Sequence, residues 1–197
     1  MKLVSVIIPY YKKRKYIEKT INSILRQEYQ NFEIIIIYDD IELDDLPLIK
    51  KISRKDRRIL ILQNSQNLGA AKSRNIGIHK SKGSYLAFID ADDLWHSQKL
   101  IKQLHFMKNN NLSFSYTSYE IINDAGEIIK KKCVPGITTY KNLLTNCDIG
   151  LSTVVMKKNL ITKKCKFVNL KTKEDYVLWL KLAKKKSRFV RFKYTSY

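Results

Sequence analysis

Ser84-Tyr85-Leu86-Ala87-Phe88-Ile89-Asp90-Ala91-Asp92-Asp93 passes from an apolar run straight into three acids. The run does not alternate polar with apolar, so it reads as a strand (84–89) covered on both faces. The same design appears earlier, where Ile34-Ile35-Ile36-Ile37 (strand 33–38) leads into Asp39-Asp40. Two further strands are predicted at 3–9, β-branched and ended by Pro9, and at 58–63. Between them lie helical patterns. Tyr16, Ile17, Thr20, Ile21, Ile24 and Leu25 mark one face of a helix over 15–29. Shorter helices are predicted at 43–54 and 70–81. Leu100, Leu104 and Met107 stripe a helix over 97–109. Strands alternating with helices predict an α/β fold, a mostly parallel central sheet with helices on both faces. Ligands of such sheets bind beyond the carboxyl ends of the strands. Acids from separate strands are therefore expected on one rim.

After residue 110 the pattern changes. Segments 112–123 and 127–134 predict a β-hairpin turning at Asp124-Ala125-Gly126. A strand is expected at 151–157 and a helix at 174–185, with Val177, Leu180 and Ala183 at core spacing. The basic, aromatic last dozen residues allow one short strand. No repeat or long linker divides the chain. A single domain over 1–197 is expected, with halves at 1–110 and 111–197.

The 197 residues carry 38 basic and 18 acidic side chains, a net charge of +20. Such a surface attracts anions: nucleic acid, acidic lipid headgroups or a phosphorylated substrate. The bland alternative is solvated lysine in a composition rich in Lys, Ile, Asn and Tyr. Cys133, Cys147 and Cys165 are odd in number and lack C-x-x-C spacing, which argues against a disulfide framework or zinc ribbon and for reduced thiols in the cytoplasm. No signal peptide or membrane span is readable. Lys184-Lys185-Lys186 reads as a solvated helix end, with contact to acidic lipid as the alternative.

Hard carboxylate oxygens such as those of Asp90 and Asp92 suit Mg²⁺ or Mn²⁺, with phosphate oxygens of a substrate completing the shell. The competing reading is an acidic loop that caps the next helix. His96 follows the loop, but a surface role suits it better, and Trp95 and Trp179 read as packing residues. Neither G-x-G-x-x-G nor a P-loop occurs, so metal and basic side chains would have to hold any phosphate.

In order, the chain carries Val4-Ser5-Val6-Ile7-Ile8-Pro9-Tyr10-Tyr11, Ser23-Ile24-Leu25-Arg26-Gln27, and Asn31-Phe32-Glu33-Ile34-Ile35 running into Asp39-Asp40. Asn67-Leu68-Gly69-Ala70-Ala71-Lys72-Ser73-Arg74-Asn75-Ile76-Gly77 and Gly83 to Asp93 follow. This series resembles the inverting glycosyltransferases of family 2, which have the GT-A fold. The resemblance is dense over 3–105 and thinner beyond. It implies a nucleotide-sugar-binding half (1–110) and an acceptor and catalytic-base half (111–197). By resemblance, Pro9, Asp39 and Asp40 match the nucleotide-base region, and Arg74 lies near the nucleotide. Asp90 would face the ribose and Asp92 would bind Mn²⁺ or Mg²⁺ on the diphosphate, with Asp90 beside it and Asp93 supporting the loop. Lys173-Glu174-Asp175-Tyr176 resembles the E-D element, in which Asp175 would be the catalytic base.

The implied partners are a nucleotide-sugar donor, best a UDP-sugar, and a glycan or lipid-linked glycan acceptor. Peripheral contact with the acidic inner face of the plasma membrane is also implied, and nucleic acid is not expected. The chemistry is self-consistent: a base for the acceptor hydroxyl, and a cation for the departing diphosphate on the opposite face of the sugar. Departures are Ile41-Glu42 where Gly-Ser is usual, and Lys12 where Asn is common. Either of Asp39 and Asp40 is left to face the base. The Q-x-x-R-W element of processive synthases is absent, which favours transfer of one sugar. The chain stops soon after the E-D helix, which leaves open a compact natural form, a truncated one or a weakened enzyme. Rival readings are a nucleic-acid-binding module, a nucleotidyltransferase and a non-catalytic donor-binding remnant.

Overall fold

The computed structural model describes residues 2–185 and 189–196. In its first half, β1 (Val4–Tyr10), β2 (Phe32–Tyr38), β3 (Ile59–Gln63) and β4 (Tyr85–Phe88) form a parallel sheet in the order β3-β2-β1-β4. Helices α1 (Arg14–Leu25), α2 (Leu46–Ser53) and α3 (Ala70–Lys80) connect them, and α4 (Lys99–Asn109) follows. The β-branched runs cover both faces. Val6, Ile8, Ile34 and Ile36 pack with Ile17, Ile21, Ile49 and Leu100 on one side. Ile7, Ile35 and Ile37 pack with Ala71 and Ile78 on the other. Each such buried isoleucine contributes about 1.5–3 kcal/mol. Gly77 lets α3 lie close: a Cβ there would stand 2.6 Å from Ile7 Cγ2 and 2.8 Å from Ile37 Cδ1.

The second half extends the sheet with antiparallel pairing. It contains β5 (Phe114–Ile122), β6 (Ile128–Lys132), β7 (Ile137–Thr138), α5 (Tyr140–Thr145), a 3-10 turn at Leu151–Thr153, β8 (Val155–Lys157), α6 (Glu174–Lys184) and β9 (Phe189–Ser196). β8 inserts between β4 and β5, antiparallel to both. β9 runs parallel to β5, and β6 hangs off β5 outside the main strand order. Trp179, Leu178 and Leu182 seat α6 on the same face as α3.

Several boundaries differ from the sequence reading. β1 continues past Pro9, because its ladder with β4 ends at Ile7↔Phe88 and the N–H that proline lacks has no partner strand there. α1 stops at Leu25 rather than 29. Gln27 is buried just beyond, where its amide donates to the Ser23 (3.2 Å) and His96 (2.7 Å) carbonyls and accepts from the Leu100 N–H (3.0 Å). The strand expected over 151–157 is a 3-10 turn followed by the short β8. α5 and β7 have no counterpart in the sequence reading. α5 starts with a capping box in which Thr139 and Asn142 satisfy each other's backbone N–H. Lys184 and Lys185 are exposed at the end of α6, while Lys186 lies outside the described residues.

Candidate active site

Parallel pairing puts the carboxyl ends of β1, β2 and β4 on one edge, so the loops after them share a rim. After β2 the two acids, both buried, divide the work. Asp39 accepts from Asn64 Nδ2 (2.7 Å), Leu68 N–H (2.8 Å) and Gly69 N–H (2.8 Å). Gly69 has φ 82°, a left-handed conformation that glycine adopts without strain, and it caps α3. Asp39 thus holds the entry to α3. Among the described residues, Asp40 accepts only a local bond, from Glu42 N–H at 3.1 Å.

The loop after β4 is shaped from outside itself. The Ser152 hydroxyl accepts from Asp90 N–H at 3.1 Å and donates to the Asp93 carboxylate. The Trp95 indole donates to the Ser152 carbonyl (2.8 Å), and Thr20 donates to the Ala91 carbonyl (2.9 Å). Under this loop Lys99 is fully buried, with its ammonium on Gln103 Oε1 (2.8 Å) and 4.5 Å from the centre of the Trp95 ring. Burial pushes its pKa down to about 7. Asp93 is pushed up to about 6, first by loss of hydration and then by the neighbouring Asp90 and Asp92. On the open side, Lys13 pairs with Asp92 at 2.7 Å.

Arg74 joins this loop to the second half. Its buried guanidinium contacts Asp90 at 2.7 Å and also pairs with Glu174, while lying 5.5 Å from the Phe167 ring centre. Asn75 donates to the Phe167 carbonyl (2.9 Å) and accepts its N–H (3.2 Å), which fixes the strap before α6. Lys173, the N-cap of α6, sits at φ 62°, a conformation that costs a lysine about 1–3 kcal/mol. That backbone turn sets Glu174 and Asp175 at the helix start. Loss of hydration raises the Asp175 pKa above the ordinary carboxylate range, although its carboxylate accepts from Tyr176 N–H at 2.7 Å.

A cleft of about 550 Å³ opens over the acid loop, walled by Lys13, Tyr16, Asp92, Asp93, Tyr119 and Ser152. The β5–β6 turn arches over it to α1, where Asp124 accepts from Lys15 (2.6 Å) and Tyr16 (2.8 Å). Among the described residues, no cluster of three or more His, Cys, Asp or Glu side chains can hold an ion. Asp90 turns to Arg74 and Asp92 to Lys13. The donor set therefore fits a partial shell of hard oxygens that phosphate would complete, and does not fit a closed protein cage.

Residues 5–159 match the model of the family described as Glycosyl transferase family 2. The chain belongs to that family. It is 40% identical over 183 residues to the Escherichia coli UDP-Glc:alpha-D-GlcNAc-diphosphoundecaprenol beta-1,3-glucosyltransferase WfgD, a match that covers 92% of this chain and 70% of that protein. It is 37% identical over 185 residues to a Bacillus subtilis glycosyltransferase named for teichuronic acid biosynthesis, TuaG, over 93% of this chain and 73% of that one. A crystal structure of S. aureus TarS 1–349 in complex with UDP superposes with a TM-score of 0.82 at 22% identity, covering 100% of this chain and 60% of that chain. That likeness shows the GT-A fold.

In this glycosyltransferase the residues singled out by sequence are Pro9, Asp39, Asp40, Arg74, Asp90, Asp92 and Asp175. Pro9 lies in β1 at the rim, in register with Ile37 of β2. Arg74 and Asp90 touch, and Asp175 follows the second partner of Arg74. Three contributors are not singled out by sequence. Ser152 sits in a segment that reads as strand interior, and its near neighbour Gly150 is the available turn signal. Lys13 and Lys99 are two of many lysines. His96 does not join the acids, and its ring accepts from Gln98 N–H at 3.2 Å.

Proposed function

We propose that the protein is a metal-dependent inverting glycosyltransferase that moves one sugar from a UDP-sugar to a hydroxyl of a lipid-linked or growing surface glycan. The observation that carries this reading is the double contact of Arg74. It ties Asp90 of the β4 loop to Glu174 at the start of α6, and Asp175 is the next residue after Glu174. The chain matches relatives whose names include a UDP-Glc donor, a diphosphoundecaprenol-linked acceptor and teichuronic acid biosynthesis. A UDP-bound protein shares its fold.

In this reading Asp40 takes the nucleotide base against Pro9, since Asp39 is already engaged by Asn64, Leu68 and Gly69. Asp90 and Arg74 flank the ribose and diphosphate. Asp92, with Asp90 beside it, would hold Mn²⁺ or Mg²⁺. When bound, the ion would neutralise charge gathering on the departing diphosphate. Asp175 takes the acceptor hydroxyl proton. Its raised pKa brings it nearer the working pH of a general base. Inversion requires the base and the leaving group to lie on opposite faces of the sugar. We place the enzyme in the cytoplasm at the inner face of the plasma membrane, where lipid-linked acceptors are reached. Nucleic acid has no part in the reading.

The test is a panel of nucleotide sugars with Mn²⁺, scored by thermal shift and slow donor hydrolysis. Asp92→Asn is expected to abolish metal-dependent donor binding. Asp175→Asn is expected to bind donor normally and lose transfer. Equal donor affinity in wild type and Asp92→Asn removes the metal assignment, and full turnover by Asp175→Asn removes the base.

A further inference from the structure

The β5–β6 hairpin stands beside the cleft and leaves apolar surface uncovered. Ile128 and Ile129 are 47% and 66% exposed, and Ile121 on the facing strand is 40% exposed. Lys130, Lys131 and Lys132 follow on the same strand as the first two. Among the described residues, β6 pairs with β5 alone. Nearby acids are already engaged: Glu120 pairs with Lys131 at 2.9 Å, Asp124 binds Lys15 and Tyr16, and Glu127 accepts from Asn123 at 2.8 Å. The turn is held by Asn123 N–H to Glu127 O (3.0 Å) and by Gly126 N–H to Asn123 O (2.9 Å), and Asp124 anchors it to α1.

Exposed isoleucines followed by lysines are the chemistry that binds an interface of hydrocarbon and negative charge. We propose that this hairpin docks the enzyme on an anionic lipid surface, with Ile129 entering the headgroup boundary and Lys130 and Lys132 meeting lipid phosphates. The surface charge decides between occupants. A second copy would bring Lys130–Lys132 against another lysine-rich edge of a chain carrying +20, and edge lysines oppose strand-to-strand pairing. An anionic bilayer complements both features. Because the same hairpin roofs the cleft, docking there sets the rim next to the membrane. The inference gives a residue-level cause for the membrane placement proposed above. It does not depend on transfer chemistry, and its readouts contain neither donor nor acceptor.

The experiment is co-sedimentation of the full chain with phosphatidylcholine vesicles, with and without phosphatidylglycerol. Binding is expected only with phosphatidylglycerol and is expected to fall at high salt. Lys130→Ala with Lys132→Ala should weaken it on the order of thirtyfold. Ile129→Trp adds a reporter at the most exposed of the three isoleucines, and its emission should shift to the blue on anionic vesicles. Thermal unfolding of each variant separates loss of docking from loss of fold. Equal vesicle binding by wild type and the double lysine variant overturns the proposal, as does an unshifted emission spectrum in the Ile129→Trp variant. Concentration-dependent dimerisation that disappears in the lysine variant would assign the surface to a second copy and also overturn it.

Discussion

Asp39 and Asp40 are neighbours in the chain with different partners, and replacing each by Asn separates the roles proposed for them. Asp39 accepts three hydrogen bonds, from Asn64 and Leu68 on Oδ1 and from Gly69 on Oδ2. An Asn keeps the volume but has one acceptor oxygen, so one N–H is left facing an amide. A hydrogen bond to a charged acceptor contributes about 1.5–3 kcal/mol, and the remaining bonds weaken when the charge goes. Destabilisation by about 3 kcal/mol is expected, which lowers Tm by roughly 6–12 °C for a chain of this size. Asp40 makes only the bond to Glu42 N–H among the described residues. Asp40→Asn should keep Tm within a degree or so and weaken UDP binding on the order of tenfold to a hundredfold. Thermal unfolding and calorimetric titration with UDP measure both. If Asp39→Asn melts like wild type while losing UDP, Asp39 reads the nucleotide itself and the division is wrong.

Three other outcomes can be checked. Lys13→Ala removes the cation paired with Asp92. Exposed pairs of this kind contribute about 0–1 kcal/mol, so Mn²⁺ alone should bind up to about fivefold more tightly, read by the paramagnetic signal of free ion. For Asp175, kcat/KM is expected to fall as pH drops through its raised pKa. That acid limb should lie above the ordinary carboxylate range and vanish in Asp175→Asn, along with a factor of roughly 10²–10⁴ in rate. Lys99 has a folded pKa near 7, below its unfolded value. Between that pH and the unfolded pKa only the unfolded chain carries the proton, so stability rises with pH across this window and is lost as pH falls to 7. Lys99→Met should flatten that rise in urea melts taken from about pH 7 to 10.

The first half is legible because periodicity and punctuation agree there. Apolar strands such as Ile34–Ile37 can only be buried, and acids directly after them must emerge at the strand ends. What stays hidden are relations across the chain. The bond from Ser152 to the acid loop spans 62 residues between Asp90 and Ser152. The different bonding of Asp39 and Asp40 depends on Asn64, Leu68 and Gly69 folding back onto one of them. α1 reads as longer because residues 26–29 keep helical composition, while the buried amide of Gln27 pulls the chain out of the helix. α5 goes unseen because its cap uses Asn142 where a Glu or Gln is the usual signal.

The insertion of β8 between β4 and β5 has a consequence for biosynthesis. A ribosome finishes the whole parallel sheet long before it reaches residues 155–157. Until then the outer flank of β4 offers unpaired amides and carbonyls to any passing strand. A nascent chain stalled between residues 110 and 154 would be the aggregation-prone species of this protein, with the flank of β4 unpaired and the sheet face that α6 later covers still bare.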